Sequence, residues 1–328
     1  MAILVTGGAG YIGSHMTYAL LERGEEVVVI DNLSTGVREL VSPKADFVEG
    51  DVADKALVKD VIQRHRVDAV IHFAGSIIVP ESVERPLFYY RNNTAASRNL
   101  IESCVETGVG QFVFSSTAAV YGMPENGIVT EATSPDPINP YGRSKLMTEW
   151  MLADTAHAHD FRYVALRYFN VAGADPQGRT GQSTPRATHL IKRACQASLG
   201  RIPRLDIFGT DFPTPDGTGV RDYIHVMDLV EAHILALAAL RAGGASEVYN
   251  CGYGRGLSVR EIVRSVEQVT DRPLPVQEAG RRAGDPPMIV ANSNKLKTSL
   301  GWQPRFFDVN EMVRSAFNWE ERLTAPSR

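Results

Sequence analysis

The segment TGGAGYIG, from Thr6 to Gly13, constrains the fold of this chain more than any other stretch of the sequence. A short apolar run, Ile3 to Val5, precedes it, and an amphipathic run, Met16 to Leu21, follows it. The pattern predicts a strand, a tight glycine turn and a helix. Its three spaced glycines would allow a sharp turn, a close backbone approach and tight packing of the helix on the strand. We therefore expect a dinucleotide pyrophosphate at the amino end of that helix.

An acidic residue follows at the spacing that this motif requires. The β-branched run Glu26 to Ile30 ends at Asp31, eighteen residues beyond Gly13, where a carboxylate can accept hydrogen bonds from the ribose hydroxyls. The same carboxylate would repel a 2′-phosphate, and Asn32-Leu33 supply no adjacent cation. These residues favour NAD over NADP. The alternative is a turn aspartate at a strand end.

Strand and helix patterns continue to alternate through the first half of the chain. Asp51 follows the third strand and has two interpretations, a contact to the adenine amino group or the N-cap of the next helix. The expected strands are Asp46 to Asp51, Ala69 to Phe73, Gln111 to Phe114 and Tyr163 to Phe169, and the expected helices are Ala56 to Arg64 and Pro86 to Glu106.

Hydroxyl and amine groups that could carry out chemistry come next. Ser115, Ser116 and Thr117 end the fifth strand, at the sheet edge where open α/β folds bind ligands, although Ser116 could equally be a turn residue. Tyr141 and Lys145 lie four residues apart on a helix that begins at Pro140, so they share one face. That spacing is common by chance and gains meaning from its position after the glycine turn and Asp31.

The second half of the chain follows a different pattern. Residues from about 175 to 222 are rich in Gly, Pro and charge and predict loop, and helical or strand patterns return at Val226 to Arg241, Glu247 to Asn250, Ser258 to Thr270 and Val309 to Leu323. We expect an α/β fold, a Rossmann-type doubly wound parallel sheet with a smaller mixed α/β C-terminal domain. The NAD-binding domain would cover residues 1–170 and return at about 224–252, interleaved with a substrate domain at 171–328.

Composition excludes several classes of function. The net charge of −4 gives no electrostatic footprint for nucleic acid, and no apolar run is long enough to span a membrane. Because the first strand pattern begins at Ile3, we expect no signal peptide. Cys104, Cys195 and Cys251 are widely spaced, so we expect neither a metal site nor disulfides, and a cytoplasmic location.

Longer motifs together resemble the extended short-chain dehydrogenase/reductase superfamily, along nearly the whole chain. Within it, the chain is similar to the UDP-glucose 4-epimerase family, chiefly through DGTGVRDYIHVMDL at Asp216 to Leu229. This narrower similarity also rests on YGRSKLMTE, PESVERPLFYYRNN and RRAGDPP. The superfamily markers are TGGAGYIG, Asp31-Asn32, Gly50-Asp51-Val52, FAG at Phe73, SSTAAVYG at Ser115, YGRSK at Tyr141 and RYFNVAGA at Arg167.

The resemblance implies a reaction that suits these side chains. The 4-hydroxyl of a UDP-hexose would lose a proton to Tyr141 and a hydride to tightly bound NAD, and the 4-keto sugar would rotate and be reduced on its other face. Free tyrosine has a pKa of about 10, and we expect the Lys145 ammonium and the positive nicotinamide to lower it. Lys145 would also bind the nicotinamide ribose, and Thr117 would position the reacting hydroxyl.

The resemblance also implies the two binding sites. Thr117 and Tyr141 would contact the sugar as well as carrying the chemistry, and no residue is expected to bind metal. The cofactor would contact Gly7, Gly10, Tyr11, Ile12, Gly13, Asp31, Asn32, Asp51, Val52, Phe73, Ala74, Gly75, Asn93, Ser115, Tyr141, Lys145 and Tyr168. The UDP-sugar would contact Asn170 and Leu190 near the pyrophosphate and uracil, Phe208 at the uracil, Arg221 and Arg282 at the diphosphate, and Asp285 at the uridine ribose.

The chain departs from the family pattern at three positions. Thr117 replaces a serine, Ile77 lies where many members carry a lysine near the cofactor phosphates, and Ile289 occupies the position that gates the 2-substituent of the sugar. We expect UDP-glucose and UDP-galactose as substrates, with N-acetylated and pentose sugars left open. The family also implies a homodimer through helices near Asn93 to Glu106 and Lys145 to Ala156.

Other functions on the same fold are less consistent with the sequence. Dehydratases and decarboxylases of this superfamily carry acidic residues after the strand-end threonine, where this chain has Ala118-Ala119, which cannot transfer protons. A non-catalytic NAD-binding protein would not need Thr117, Tyr141 and Lys145 together.

Overall fold

The computed structural model describes residues 1–184, 187–282 and 284–323. The strands are β1 Ala2–Thr6, β2 Glu26–Asp31, β3 Asp46–Glu49, β4 Val67–His72, β5 Gln111–Thr117, β6 Ile128–Val129, β7 Arg162–Tyr168, β8 Asn170–Ala172, β9 Leu205–Phe208, β10 Val220–His225, β11 Glu247–Cys251, β12 Gly256–Ser258, β13 Val276–Ala279 and β14 Met288–Ala291. The α-helices are α1 Tyr11–Glu22, α2 Lys55–His65, α3 Val79–Glu84, α4 Pro86–Tyr89, α5 Ala96–Thr107, α6 Pro140–Ala158, α7 Leu190–Ser198, α8 Val226–Arg241, α9 Val259–Thr270, α10 Asn294–Leu300 and α11 Val309–Arg322. Short 3₁₀ turns cover Arg38–Leu40 and Ala118–Tyr121, and a π-helical turn covers Tyr90–Ala95.

Seven parallel strands form the main sheet, in the order β11-β7-β5-β4-β1-β2-β3. The inner strand β1 is buried along its whole length, as expected for a strand covered on both faces. Its Val5 pairs with Val29 of β2 on one side and with Ile71 of β4 on the other. This order reverses between β1 and β4, and the crevice at that reversal is where such sheets bind nucleotides.

Helices cover both faces of the main sheet. On one face, α1 and α8 contribute Met16 and Leu229 to a core that continues to Trp302. On the other face, α2, α5 and α6 contribute residues such as Leu100 and Leu152. The expected Rossmann-type α/β fold is confirmed, with β11 returning to the edge of the sheet after α8.

The second half of the chain builds smaller sheets beside the carboxyl edge of the main one. β12, β10, β14 and β6 pair in that order, β8 also pairs with β10, and β13 pairs with β9. Helices α7, α9 and α11 pack around residues such as Ile207, Ile262 and Val313. The domain boundaries given above stay a prediction, although β8 and β10 join the two parts of the chain.

Two secondary-structure expectations were wrong in part. Residues 175–222 were expected to be loop, yet they contain α7, β9 and the start of β10. These elements form because apolar residues such as Ile191 and Ile207 are buried in the same cluster as Ile262 and Val313. The helix expected from Pro86 to Glu106 is interrupted by the π-helical turn Tyr90–Ala95, and α3 precedes it. Hydrophobic periodicity does not mark a single wide turn inside an otherwise helical run.

Candidate active site

A cavity of about 420 Å³ lies at the carboxyl edge of the main sheet, where the two halves of the chain meet. Its walls come from the loops after β1, β2, β3, β4 and β5, and from β8, β10 and β14. Nearly all of the expected cofactor residues line it, namely Gly7, Gly10, Tyr11, Ile12, Gly13, Asp31, Asn32, Asp51, Val52, Phe73, Ala74, Gly75, Tyr141 and Tyr168.

The glycine turn leaves no room for side chains. A Cβ at Gly7, where φ is +71°, would lie 2.7 Å from the backbone nitrogen of Ala74, and a Cβ at Gly13 would collide with the carbonyl oxygen of Gly7. The helix α1 then begins after Gly10 without any side-chain cap, so its first amides face the cavity. Uncapped amides at a helix N-terminus attract anions, which suits a pyrophosphate.

Asp31 is held by the same turn. One carboxylate oxygen accepts a hydrogen bond from the Ala9 amide and the other from the Leu33 amide, both at 2.9 Å. Burial raises the pKa of Asp31, and these two backbone donors oppose that rise. Each oxygen retains a second acceptor site, which is what two ribose hydroxyls would need.

Asp51 does not cap helix α2. The cap is Asp54, whose carboxylate accepts from the amides of Ala56 and Leu57, so the capping interpretation of Asp51 was wrong. Asp51 accepts instead from the Ala53 amide at 2.8 Å and from the Asn32 side chain at 3.1 Å. Both residues line the cavity, which leaves the adenine interpretation in place as a prediction.

The loop after β4 has no lysine at Ile77. Ser76 is fixed there by the π-helical turn, since Asn93 accepts from its amide at 2.7 Å and Asn92 donates to its hydroxyl at 2.9 Å. Asn93 is buried and bonds Ser76 and Ser144 rather than lining the cavity. Among the residues that the structure describes, Arg221 is the one Lys or Arg side chain on the cavity wall.

Thr117 and Tyr141 meet on the cavity wall. Tyr141 is 7% exposed, and burial raises its pKa while a hydrogen bond from Thr117 opposes the rise. The expected net lowering of this pKa is not found for the protein's own groups, because desolvation of the phenolate dominates. The expected effect of a positive nicotinamide stays a prediction.

Lys145 and Ser115 lie just behind the wall. The Lys145 ammonium donates to the Ser115 carbonyl at 3.0 Å. It lies close to Gly75, since a Cβ added to Gly75 would be 3.7 Å from the Lys145 nitrogen. Burial lowers the pKa of Lys145 to about 8, and Glu149 one turn further along α6 opposes this. The Ser115 hydroxyl lies 3.1 Å from the His233 ring, beneath Tyr168.

The expected substrate residues divide into two groups. Asn170, Arg221 and Asp285 line the cavity, and Arg221 forms an ion pair with Asp285. Leu190, Phe208 and Arg282 are not on the cavity wall, and the Arg282 guanidinium stacks on the Phe208 ring with its carbon 3.8 Å from the ring centroid. The structure thus groups Arg282 with Phe208, and Asp285, the ion-pair partner of Arg221, also interacts electrostatically with Arg282.

The sequence did not indicate several cavity residues. Gln182, Thr184 and His189 line the wall near β8, and burial lowers the pKa of His189 to about 4, so the ring is neutral at physiological pH. No local spacing marks them, since they come from irregular chain between β8 and α7. At the other end, the wall is formed by small and apolar residues, Ala118, Ala119, Gly122, Ile138, Phe169 and Ile289.

In the described ranges, no group of His, Cys, Asp and Glu is arranged to hold a metal ion. None of the described helices is both long enough and apolar enough to cross a bilayer.

The fold and the cavity define a nucleotide-binding α/β protein of the Rossmann type. The chain belongs to the NAD dependent epimerase/dehydratase family, whose model matches residues 3–252. NAD is its cofactor, and the uncapped α1, the tight glycine turn and Asp31 fit that group.

Individual relatives resemble the chain over nearly its whole length. A UDP-glucose 4-epimerase of Azospirillum brasilense is 59% identical, covering 98% of this chain and 92% of the relative. The solved UDP-glucose 4-epimerase of Brucella ovis in complex with NAD is 46% identical, with a TM-score of 0.94 over 97% of each chain. The one from Stenotrophomonas maltophila, with bound NAD and formylated UDP-arabinopyranose, is 38% identical, with a TM-score of 0.96 over 100% of each chain.

Proposed function

We propose that this protein inverts the configuration at C4 of a UDP-hexose, interconverting UDP-glucose and UDP-galactose with tightly bound NAD. The observation that carries the proposal is the arrangement of the cavity. Thr117 and Tyr141 lie on a wall shared with the glycine turn and Asp31, and Lys145 lies directly behind that wall. The relatives named UDP-glucose 4-epimerase support the same reaction.

In the proposed reaction, Tyr141 accepts the proton of the 4-hydroxyl and later returns it to the 4-keto oxygen. Thr117 hydrogen-bonds both Tyr141 and the sugar oxygen and so aligns the transfer. NAD takes the hydride from C4 and gives it back to the opposite face, so no net oxidation occurs. The Lys145 ammonium stabilises the tyrosinate that an efficient base requires at neutral pH.

The sugar end of the cavity suits a reaction in which the hexose must turn. Ala118, Ala119 and Gly122 offer few hydrogen bonds that would fix one orientation of the ring. The nucleotide must then supply the binding energy, remote from the chemistry. Arg221 is proposed to bind the diphosphate, with Asn170 beside it, and Asp285 the ribose. Phe208 and Leu190, at the start of α7, are proposed to hold the uracil end, and Arg282, stacked on Phe208, is proposed to pair with the diphosphate.

The size of the sugar pocket leaves a second substrate class to consider. Ile289 is 7% exposed and contributes to the cluster around Val120 and Phe169, so its side chain limits the space beside the sugar. UDP-N-acetylhexosamines need more room there, and UDP-pentoses need less. We propose UDP-hexoses as the main substrates, with epimerisation of these other UDP-sugars as the alternative. A dehydratase or decarboxylase would require proton-transfer groups where Ala118 and Ala119 lie.

The experiment is to incubate the purified protein with UDP-galactose, without added NAD, and to separate the products by chromatography. UDP-glucose is the expected product, which requires both epimerisation and a retained cofactor. UDP-N-acetylgalactosamine and UDP-xylose, assayed in parallel, measure the effect of Ile289. If NAD is demonstrably bound and no UDP-sugar is converted, the proposed function is wrong.

We further propose a cytoplasmic homodimer. Trp150 is 58% exposed on α6, next to an apolar groove between α6 and the π-helical turn that includes Met147 and Met151. A second copy packing its own α5 and α6 there would cover these side chains in a four-helix contact. The three cysteines are buried and free, as suits a reducing compartment. Sedimentation of a monomer alone at micromolar concentration would contradict the dimer.

A further inference from the structure

A buried ion pair connects the three elements that carry the proposed catalytic residues. Glu149 of α6 is 4% exposed and Arg167 of β7 is 6% exposed. The Arg167 guanidinium bonds the carboxylate through two nitrogens, with Nη2 at 2.5 Å from one oxygen and Nε at 3.0 and 3.2 Å from the two. The same carboxylate accepts a hydrogen bond from the Ser116 hydroxyl of β5.

Glu149 and Lys145 hold adjacent residues of β5. Lys145 donates to the carbonyl of Ser115, and Glu149 accepts from the hydroxyl of Ser116, so α6 bonds the strand twice immediately before Thr117. Tyr141, Lys145 and Glu149 follow one another at intervals of four residues and share one face of α6. A shift of β5 along α6 would therefore separate Thr117 from Tyr141 and would also break the hydrogen bond from Lys145 to the Ser115 carbonyl.

The network continues into the small sheets. Arg167 donates from Nη1 to the Tyr121 hydroxyl at 3.0 Å, and Tyr121 donates to Asn250 of β11 at 2.6 Å. Asn250 in turn donates to the carbonyl of Val129 in β6 at 3.1 Å. Arg167 is therefore fixed from two sides, and it holds Glu149 in a single orientation.

We propose that Glu149, oriented by Arg167 and bonded to Ser116, is a positioning residue that sets the register of β5 against α6 and thereby aligns Thr117 with Tyr141. The inference rests on the proposed function for its kinetic consequences, and on the bonds described above for its geometry. An isolated buried ion pair is a weak source of stability, which favours a role in specifying one arrangement.

Several charged and titratable groups face this network, and each would contribute to a pH profile. Burial and the neighbouring Lys145 lower the pKa of His72 to about 3, so this ring is neutral in the working range. His72 of β4 faces Lys145, and Tyr163 and Arg167 of β7 face Glu149. Tyr121 of the 3₁₀ turn faces Arg167 and lies near Glu131.

The test uses Ser116→Ala, which removes one bond to β5 and leaves the buried ion pair complete. Its matched control is Ser103→Ala, another buried serine, whose hydroxyl bonds only within α5 to the Asn99 carbonyl at 2.8 Å. Glu149→Gln and the double variant Glu149→Gln/Arg167→Gln remove one charge and both charges. Thermal melting identifies the temperature at which each protein is fully folded, and kcat, KM and the pH profile of kcat are measured there.

We expect Ser116→Ala to lower kcat about 10-fold or more, with KM for UDP-galactose changed less than about twofold, while Ser103→Ala retains the wild-type values. Ser116→Thr, which restores a hydroxyl, should recover most of the rate. Crystal structures of the wild type and Ser116→Ala should differ in the separation of the Thr117 and Tyr141 hydroxyls, a readout independent of turnover. Glu149→Gln should shift the pH profile of kcat because Lys145 loses a neighbouring carboxylate.

Unchanged kcat, pH profile and hydroxyl separation in folded Ser116→Ala and in the double variant would overturn the inference and leave only a packing role. An inactive wild type would instead contradict the proposed function, and the crystallographic comparison would still decide the alignment of Thr117 and Tyr141. If the double variant does not fold, Ser116→Ala and its structure decide the question alone.

Discussion

The cofactor side and the substrate side of the cavity are built in different ways. Backbone close to a single glycine turn forms the cofactor side, where Gly7, Gly13 and the uncapped amides of α1 lie within eight residues of sequence. The substrate side brings together side chains from distant segments, such as Thr117, His189 and Arg221. A site made of local backbone tolerates few substitutions, whereas a site made of dispersed side chains can change one contact at a time.

The largest effect is expected where the two sides meet. Tyr141→Phe removes the proposed base and should lower kcat by about 10² to 10⁴, the usual contribution of a positioned acid or base. The phenyl ring still fills the wall, so the purified variant should retain its NAD. Turnover and the cofactor content of denatured protein are the two measurements. Unchanged turnover would remove Tyr141 from the mechanism.

One added methyl group should disrupt the cofactor side, because this side is built from closely packed backbone. Gly13→Ala places a Cβ against the Gly7 carbonyl and 2.8 Å from the Gly8 Cα, atoms that cannot move aside without shifting the turn. Overpacking of this kind costs about 1–3 kcal/mol, so NAD affinity should fall about 5- to 150-fold. Gly280→Ala, where a Cβ meets no atom within 4 Å, is the matched control on the substrate side and should bind NAD normally. Equal NAD retention in both variants would refute the contrast.

On the substrate side, one side chain should account for much of the nucleotide affinity. Arg221→Ala removes a largely buried guanidinium worth about 1.5–3 kcal/mol to a charged partner, so KM for UDP-galactose should rise about 10- to 150-fold with NAD content unchanged. Arg260→Ala is the control, because this partly exposed residue pairs with Glu278 at 2.5 Å, away from the cavity wall, and an ion pair of this kind contributes little energy. A KM change shared by both variants would point to general electrostatics instead.

The smallest expected effect is in the pH dependence of catalysis. The pKa of Lys145 is lowered by burial to about 8, so its ammonium loses its charge as the pH rises through that value and kcat should fall several-fold above it. Stability changes in the opposite direction, because the unfolded chain binds the extra proton between about 8 and the ordinary lysine pKa of about 10.4. Parallel profiles of kcat and melting temperature against pH check both signs. A kcat that stays constant through this range would contradict the role of Lys145.

The sequence was sufficient to predict the site features whose residues lie close together along the chain. The glycine turn, Asp31, and the pairing of Tyr141 with Lys145 on one helix face each involve one strand end or one helix. The structure places these residues around one cavity or directly behind its wall. The roles assigned to them stay predictions, since spacing shows where side chains lie and not what they bind.

The remaining errors have a common physical origin. β9 and α7 were mistaken for loop because Gly and Pro nearby obscured runs as short as Leu205 to Phe208, which are stabilised by a distant strand, β13. His189 and Gln182 reach the cavity from irregular chain, and Asp54 instead of Asp51 caps α2. In each case the deciding contact comes from tertiary structure or from a choice between neighbouring acids that periodicity cannot make.

The pairing of β8 with β10 has a consequence for how ligands enter and leave. β8 continues from β7 of the main sheet after one residue, and β10 runs directly into α8, which packs on that same sheet. Rotation of the second half of the chain against the main sheet would have to break the Ile224–Val171 pairing. It would also have to remove α8 from the core that it forms with the main sheet. A hinge of the kind that separates two lobes is therefore disfavoured. We expect nucleotide exchange to proceed without separation of the two halves of the chain, with the cofactor turn staying closed throughout.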